Sequence, residues 1–497
     1  MTTKEPRMGT ATVTDPASPA RSPLNWWQRG VVVLLFAGIE LPLYLSCRSG
    51  TDIGTYGAYA QLWRTGSLRT LYAPEPGRQT VEYPPLAIGF SRLIDLLAQQ
   101  LPADGAFAAY FPGYGDALRF QLVYRAVMAV LTLLILTALV VLVDRYFGDE
   151  TRRERLERVA VFVAGVCCLA TVVFDRLDLV LGALILLAAV LAVGGRHWLW
   201  SAGVLAAAIG FKVTPVVLVP FWALATVPHA WFAELSSAGA WGRLAAGLAL
   251  RCGVVVALTV LACLPFYLLG GPDSLIFLRF HADRGIECET TYAAALAVLR
   301  QLGLEVGCQA SEYGAYEVRA ACTPLLTRLA PWVVGVPLLL AAAAYFRRLR
   351  REARGEAVAR RLGLIGPLLL AMLIFLLGNK VLSPQYFLWP LPLVPLVPLS
   401  GRARRWFLLG FTLVCGLTCG VFPVAGSALV GEWLPEGGRV HLSGPTLAGA
   451  LILSARSLAM LAVAVGLAVQ VVRGKDGHLR QPVPSEATPS GRINHRS

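Results

Sequence analysis

The sequence predicts an all-α fold, a polytopic bundle of about twelve transmembrane helices. Three observations lead there. Hydrophobic residues make up 56% of the 497, charged residues only 15%, and the mean hydropathy is +0.62, too apolar for a soluble globular chain. The apolar residues recur in runs long enough for membrane helices, and Arg residues cluster in short stretches between those runs.

The elements follow in chain order. Residues 1–29 are polar and rich in Pro, Ser and Thr, which predicts a disordered cytoplasmic tail. The run that follows, 30–47, has no small-residue cleavage site and reads as an uncleaved first span. Within a first outer loop of 48–118, the stretch "PPLAIGFSRLIDLLAQQL" at 84–101 puts apolar residues on one helical face and Arg92, Asp95, Gln99 and Gln100 on the rest. That pattern predicts an amphipathic helix lying in the membrane interface.

Further spans are expected at 119–143, 159–174, 178–194, 199–231, 244–268, 326–346, 362–378, 386–399, 406–426 and 446–472. The run 199–231 is too long for one helix. It contains "FKVTPVVLVP", where Lys212 would be costly in lipid and Pro215 interrupts the backbone ladder, so it divides into two short helices there. With that division and a cytoplasmic N-terminus, "DRYFGDETRRERLER", "GGRH", "RRLRREARGEAVARR" and "GRARR" all fall inside. The membrane domain is then 30–472, with a second large outer loop at 269–325 and a second disordered cytoplasmic tail at 473–497.

The net charge of +14 does not point to nucleic acid, because the basic residues sit in orienting clusters between spans. Cys47, Cys167, Cys168, Cys252, Cys263, Cys415 and Cys419 lie in apolar stretches without CxxC spacing or neighbouring His, as packing residues do. Cys288, Cys308 and Cys322 share one outer loop, where an oxidising compartment would allow one disulfide among them.

Polar residues of unusual type collect in the loops of one side. The first loop carries Asp52, Tyr56, Tyr59, Glu82 and Tyr83; the turn "FDRLDL" carries Asp175, Arg176 and Asp178; "FKVTP" carries Lys212. The loop opening "FLRFHADRGIECETTYAAAL" carries His281, Arg284, Glu287 and Glu289, and "GNKVLSPQYFLWP" carries Asn379, Lys380, Gln385 and Tyr386. Each alone has an ordinary structural reading: an interfacial ion pair, a snorkelling lysine, a hydrogen-bonded histidine. Their convergence predicts an outward-facing polar cavity. Lys212, Lys380, Arg284 and Arg176 together suit a phosphate or diphosphate at membrane depth, and the tyrosines, carboxylates and amides suit a sugar or an acceptor. Asp52, Glu82, Asp175 and Asp178 are hard oxygen ligands that could accept a divalent cation, but no spacing specifies one and no obligatory cofactor is expected.

The order of "SGTDIGTYGAYA", "VEYPPL", "FDRLDL", "GFKVTP", "RFHADRGIECETTYA" and "NKVLSPQYFLWPLP" over residues 30–400 resembles glycosyltransferase family 87 of the GT-C superfamily. "EYPPL" and "NKVLSPQY" are its most specific pieces. The resemblance implies an integral-membrane enzyme of the bacterial plasma membrane, with its active site on the extracytoplasmic side. It would use a polyprenyl-phosphate sugar and a lipid or glycan acceptor; the best-known relatives are actinobacterial α-mannosyltransferases. It matches Asp52 to the catalytic acid at the start of the first outer loop, and makes Lys212, Arg284 and Lys380 candidates for the donor phosphate. A leaving phosphate is a stable anion, so one general base suffices, and Asp52 is the expected base of an inverting displacement. A transporter or flippase of a lipid-linked or anionic substrate is the rival class, since charged residues at broken helices also serve translocation. It lacks a visible internal repeat here.

Overall fold

In the computed structural model the described residues are 25–46, 51–72, 81–101, 115–310, 315–355, 362–436 and 439–473. The expected terminal tails lie almost wholly outside them, as does Cys47. Among these residues the protein is a bundle of α-helices with one small sheet. The helices are α1 (Trp26–Ser46), α2 (Thr51–Thr65), α3 (Leu68–Tyr72), α4 (Pro85–Ala98), α5 (Gly115–Tyr146), α6 (Arg152–Cys168), α7 (Ala170–Val173), α8 (Asp178–Ala192), α9 (Trp198–Phe211) and α10 (Val219–Thr226). There follow α11 (Ala230–Ala233), α12 (Ala238–Gly270), α13 (Ile276–Asp283), α14 (Thr291–Gln301), α15 (Thr323–Ala353), α16 (Ile365–Gly378), α17 (Gly401–Cys419), α18 (Gly426–Val430) and α19 (Leu447–Arg473).

Among the described residues, five helical segments are long and apolar enough to cross a membrane: Ala117–Tyr146, Ala238–Gly270, Thr323–Ala353, Gly401–Val424 and Leu447–Val472. Their outward surfaces agree with that. Leu250, Val256, Val260, Leu261, Leu268 and Leu269 on α12 are all exposed, a cost in water and none in lipid. Shorter apolar helices, α8, α9, the segment Thr214–Thr226 and α16, pack against the long ones and against one another.

The division expected in 199–231 is present. α9 ends at Phe211, Lys212 is extended, and a 3-10 turn at Thr214–Leu218 leads into α10. Pro215 has no N–H to continue the ladder, so the chain turns there. α4 forms where the amphipathic pattern predicts it. Pro85 opens it at the first helical position, and Ala87, Ile88, Ile94 and Ala98 face the core.

One expectation is corrected. The run 386–399 is not an α-helix: its regular pieces are 3-10 turns at Pro384–Leu388 and Val394–Leu396. Pro384, Pro390, Pro392, Pro395 and Pro398 remove amide donors throughout it, so no α ladder can close. The segment is nevertheless fully packed between α6 and α8, where Gly165 and Gly182 leave room. A Cβ at Gly165 would overlap Leu391, and one at Gly182 would overlap the Leu388 carbonyl oxygen. Its freed carbonyls are answered by Arg158, whose guanidinium donates to Pro395 O, Val397 O and Leu399 O at 3.0, 2.8 and 2.7 Å.

The rest of the fold is helical as expected, and among the described residues it adds one small sheet. Strands β1 (Gly307–Ala310), β2 (Tyr316–Arg319), β3 (Trp433–Glu436) and β4 (Arg439–Leu442) make an antiparallel sheet in the order β2-β1-β4-β3. It joins the loop after α14 to the segment between α18 and α19, closing the core of Ile286, Val306, Val318 and Leu442.

Candidate functional site

The broken helices and two loops meet around a cavity of ≈ 440 Å³ at one end of the bundle. Asp52, Glu82, Tyr83, Arg176, Lys212, His281, Arg284, Glu289, Gln385 and Tyr386, all singled out in the sequence, line it. Tyr56, Tyr59, Asp175, Asp178, Asn379 and Lys380 do not, and each has its own place behind the wall.

Asp52 occupies the first turn of α2, where the helix N-terminus favours a carboxylate. Its Oδ2 meets Arg176 Nη2 at 2.5 Å, and both side chains keep 22% exposure at the cavity mouth. Arg176 is presented by the turn between α7 and α8. Burial pushes the Asp52 carboxyl above its ordinary range and the Arg176 guanidinium opposes that, with Asp175 and Asp178 adding to the rise. Glu82 is likewise raised by burial against the pull of Arg176, Arg284 and Lys212.

The floor behind Asp52 is aromatic. Tyr56 and Tyr83 share a hydrogen bond of 2.8 Å between their hydroxyls, and Tyr56 stacks on Tyr124. Tyr56 and Tyr59 lie on α2 as expected from its helical start, but both are buried and neither lines the cavity; Tyr56 supports Tyr83 from behind.

Lys212, placed at the broken end of α9, donates to Asp178 Oδ1 at 2.8 Å. Trp389 Nε1 donates to the same oxygen at 2.6 Å. The ammonium also sits 4.4 Å from the Tyr386 ring centre and 5.0 Å from that of Trp389, so its position is fixed on several sides. Asp178 is therefore the anchor of Lys212, and Asp175 pairs with Arg125 at 3.0 Å, away from the cavity.

The third wall is two loops stitched together. Glu287 accepts from Arg284 Nη2 at 3.1 Å, from Leu382 N at 2.8 Å and from Ser383 Oγ at 3.3 Å, and its own amide donates to Lys380 O at 3.0 Å. Lys380, expected to hold phosphate, instead donates to Ala282 O at 2.8 Å and Arg284 O at 2.6 Å. It fixes the backbone that presents Arg284. Asn379 closes its own turn by donating to Val381 O at 2.7 Å. His281 is lowered to about 4, by burial first and then by Lys212, Arg284 and Lys380, so it stands in the cavity as a neutral imidazole at pH 7.

The last wall was not read from the sequence. Phe422, Gly426, Ser427, Leu429 and Val430, together with Ala315 and Tyr316, close the cavity around Glu289. Behind Glu289 stands Arg456 of α19, fully buried, which donates through Nη2 to the Glu289 carbonyl oxygen and holds Nη1 4.0 Å from Glu289 Oε2. Burial first, then the neighbouring Glu287 charge, raise the Glu289 carboxyl to about 8 against the pull of Arg456 and Arg176. A signal for this wall existed: an arginine in the apolar run "LILSARSLAML" is costly in a membrane and marks a buried partner.

The arrangement is a half-open cavity with three cations, Arg176, Lys212 and Arg284, facing four carboxylates, Asp52, Glu82, Glu287 and Glu289. Such a mixture can bind an anion beside a polyhydroxylated group, and can take up a proton at Asp52. Among the described residues no three His, Cys, Asp or Glu side chains converge as a metal site. No protein-family model matches the chain, and no curated protein matches it.

Proposed function

We propose that the protein is a membrane glycosyltransferase of the GT-C type, with about twelve spans and its cavity on the extracytoplasmic side of a bacterial plasma membrane. It moves a sugar, mannose in this reading, from a polyprenyl phosphate to a hydroxyl of a lipid-linked or glycan acceptor. The observation that carries this reading is the pairing of Asp52 with Arg176 at 2.5 Å in the mouth of a cavity that Lys212 and Arg284 also line. A base and a set of phosphate-binding cations stand within one enclosure. The order of motifs around Asp52, Lys212 and Arg284 supports the same reading.

In this mechanism the acceptor oxygen attacks the anomeric carbon as its proton passes to Asp52. The bond from that carbon to the phosphate oxygen breaks, and the electron pair leaves with the polyprenyl phosphate. Arg176, Lys212 and Arg284 stabilise the charge that grows on the leaving phosphate. Asp52 is kept in place by Arg176 until phosphate draws on the same guanidinium. Burial raises the carboxyl toward the range of a useful base. Attack opposite the leaving group inverts the centre, so a β-linked donor gives an α-linked product.

The test is transfer from radiolabelled polyprenyl-phosphate mannose in proteoliposomes, with a panel of other lipid-linked sugars beside it. A covalent product that disappears in Asp52→Asn is expected. Full activity in that variant removes the base assignment, and sugar movement across the bilayer without a covalent product makes the protein a transporter.

A further inference from the structure

We propose that Cys288 and Cys308 are joined by a disulfide that ties the cavity wall to the small sheet, leaving Cys322 as a thiol. The two Sγ atoms lie 2.9 Å apart, closer than two sulfurs rest without a bond between them, and both residues are buried, at 3% and 1% exposure. Both are thiols in this structure, and both are fastened to β2. The Cys288 amide donates to Tyr316 O at 2.9 Å, and Cys308 pairs with Val318 across the strands. Cys322 packs against the same small core but belongs to the start of α15.

The position of the pair gives the bond its consequence. Cys288 lies between Glu287 and Glu289 and itself lines the cavity. Cys308 lies on β1, which also pairs with β4 from the far end of the chain. A bond between them closes the loop that contains α14 and holds both carboxylates at a fixed distance from the sheet. This placement rests on the extracytoplasmic side proposed above, where disulfides persist. Two thiols lose two protons and two electrons, and a protein disulfide of that compartment takes them up to become a dithiol. The Cys308 contact and burial hold the Cys288 thiol well above its ordinary range, so exchange through a thiolate takes place before the loop packs.

The sequence makes the pairing directly readable. Cleavage after Arg284, Arg300, Arg319 and Arg328 puts Cys288, Cys308 and Cys322 on three separate peptides. Full-length protein from its native membrane is alkylated during lysis, digested without reductant and analysed by mass spectrometry. The expected result is a linked pair of peptides 285–300 and 301–319, lighter by two hydrogens than their sum, with alkylated Cys322. Alkylation of both Cys288 and Cys308, or a link that uses Cys322, overturns the proposal. Because wild-type protein is read, no variant has to fold. A link found in a protein without transferase activity leaves the disulfide standing and removes only the proposed reaction.

Discussion

Two charge networks at different places in the bundle look alike as lists of residues and differ in what they leave open. In the first, Glu150 receives Arg158 through two bonds of 2.8 and 2.7 Å, and Arg404 reaches Glu150, Glu154 and Glu157 at 3.2, 3.2 and 3.0 Å. Arg158 also stacks 3.7 Å above Phe147 and spends its remaining donors on the carbonyls of 395, 397 and 399. Arg158 and Arg404 are both wholly buried. The second network surrounds the cavity, and there Asp52 and Arg176 remain partly exposed and line the open space. A closed network holds helices together; an open one keeps groups available for a ligand.

The largest contrast comes from Asp52→Asn. The amide has nearly the same shape and no basic oxygen, so transfer is expected to fall about a hundred- to ten-thousand-fold. The thermal midpoint should stay close to wild type, because the pair sits partly exposed at the cavity mouth and the amide oxygen still accepts from Arg176. A large drop in midpoint would make Asp52 a member of the structural network. Arg158→Met should do the reverse. It leaves Glu150 with Arg404 alone and removes the donor of three backbone carbonyls in the core, costing about 3–5 kcal/mol of stability. Thermal unfolding of purified protein in detergent checks this, and unchanged stability would mean that Arg404 alone can hold Glu150.

Glu289 sharpens the comparison through pH. Its carboxyl is raised to about 8 in the folded protein from 4.5 in the unfolded chain, so the folded state binds the extra proton between those values. Stability from this group is complete below about pH 4.5 and is lost as pH rises to about 8. Glu289→Gln stays neutral throughout. Its thermal midpoint should therefore fall less than that of wild type as pH goes from 5 to 8. Parallel curves for the two proteins would place Glu289 in a closed ion pair with Arg456.

Much of this was legible in the sequence because the membrane enforces simple rules. The Lys212 break, the amphipathic α4 and the convergence of five loops follow from the cost of charges and unpaired backbone in lipid. What was hidden required knowing neighbours. The run 386–399 has the composition of a span, but its prolines need a donor from elsewhere, and Arg158 is distant in sequence. Strand β4 pairs with β1, more than a hundred residues earlier. The role of Lys380 likewise depends on which oxygens stand within its reach, which its motif does not say.

Lys380 therefore gives the smallest and most discriminating effect. If it held phosphate, Lys380→Met would weaken donor binding as directly as the loss of Arg284. Its ammonium instead goes to Ala282 O and Arg284 O, and the main chain at Glu287 N–H bonds back to Lys380 O. The backbone bond survives the substitution, and only two carbonyls lose a donor at a solvent-accessible edge. Transfer should fall about tenfold, equivalent to roughly 1.4 kcal/mol, by loosening Arg284. Lys380→Arg should restore most of it, since a longer cation still reaches carbonyls. Kinetics at varied donor concentration separate the cases: a rise in donor KM much beyond tenfold, without rescue by Arg, would return Lys380 to the phosphate.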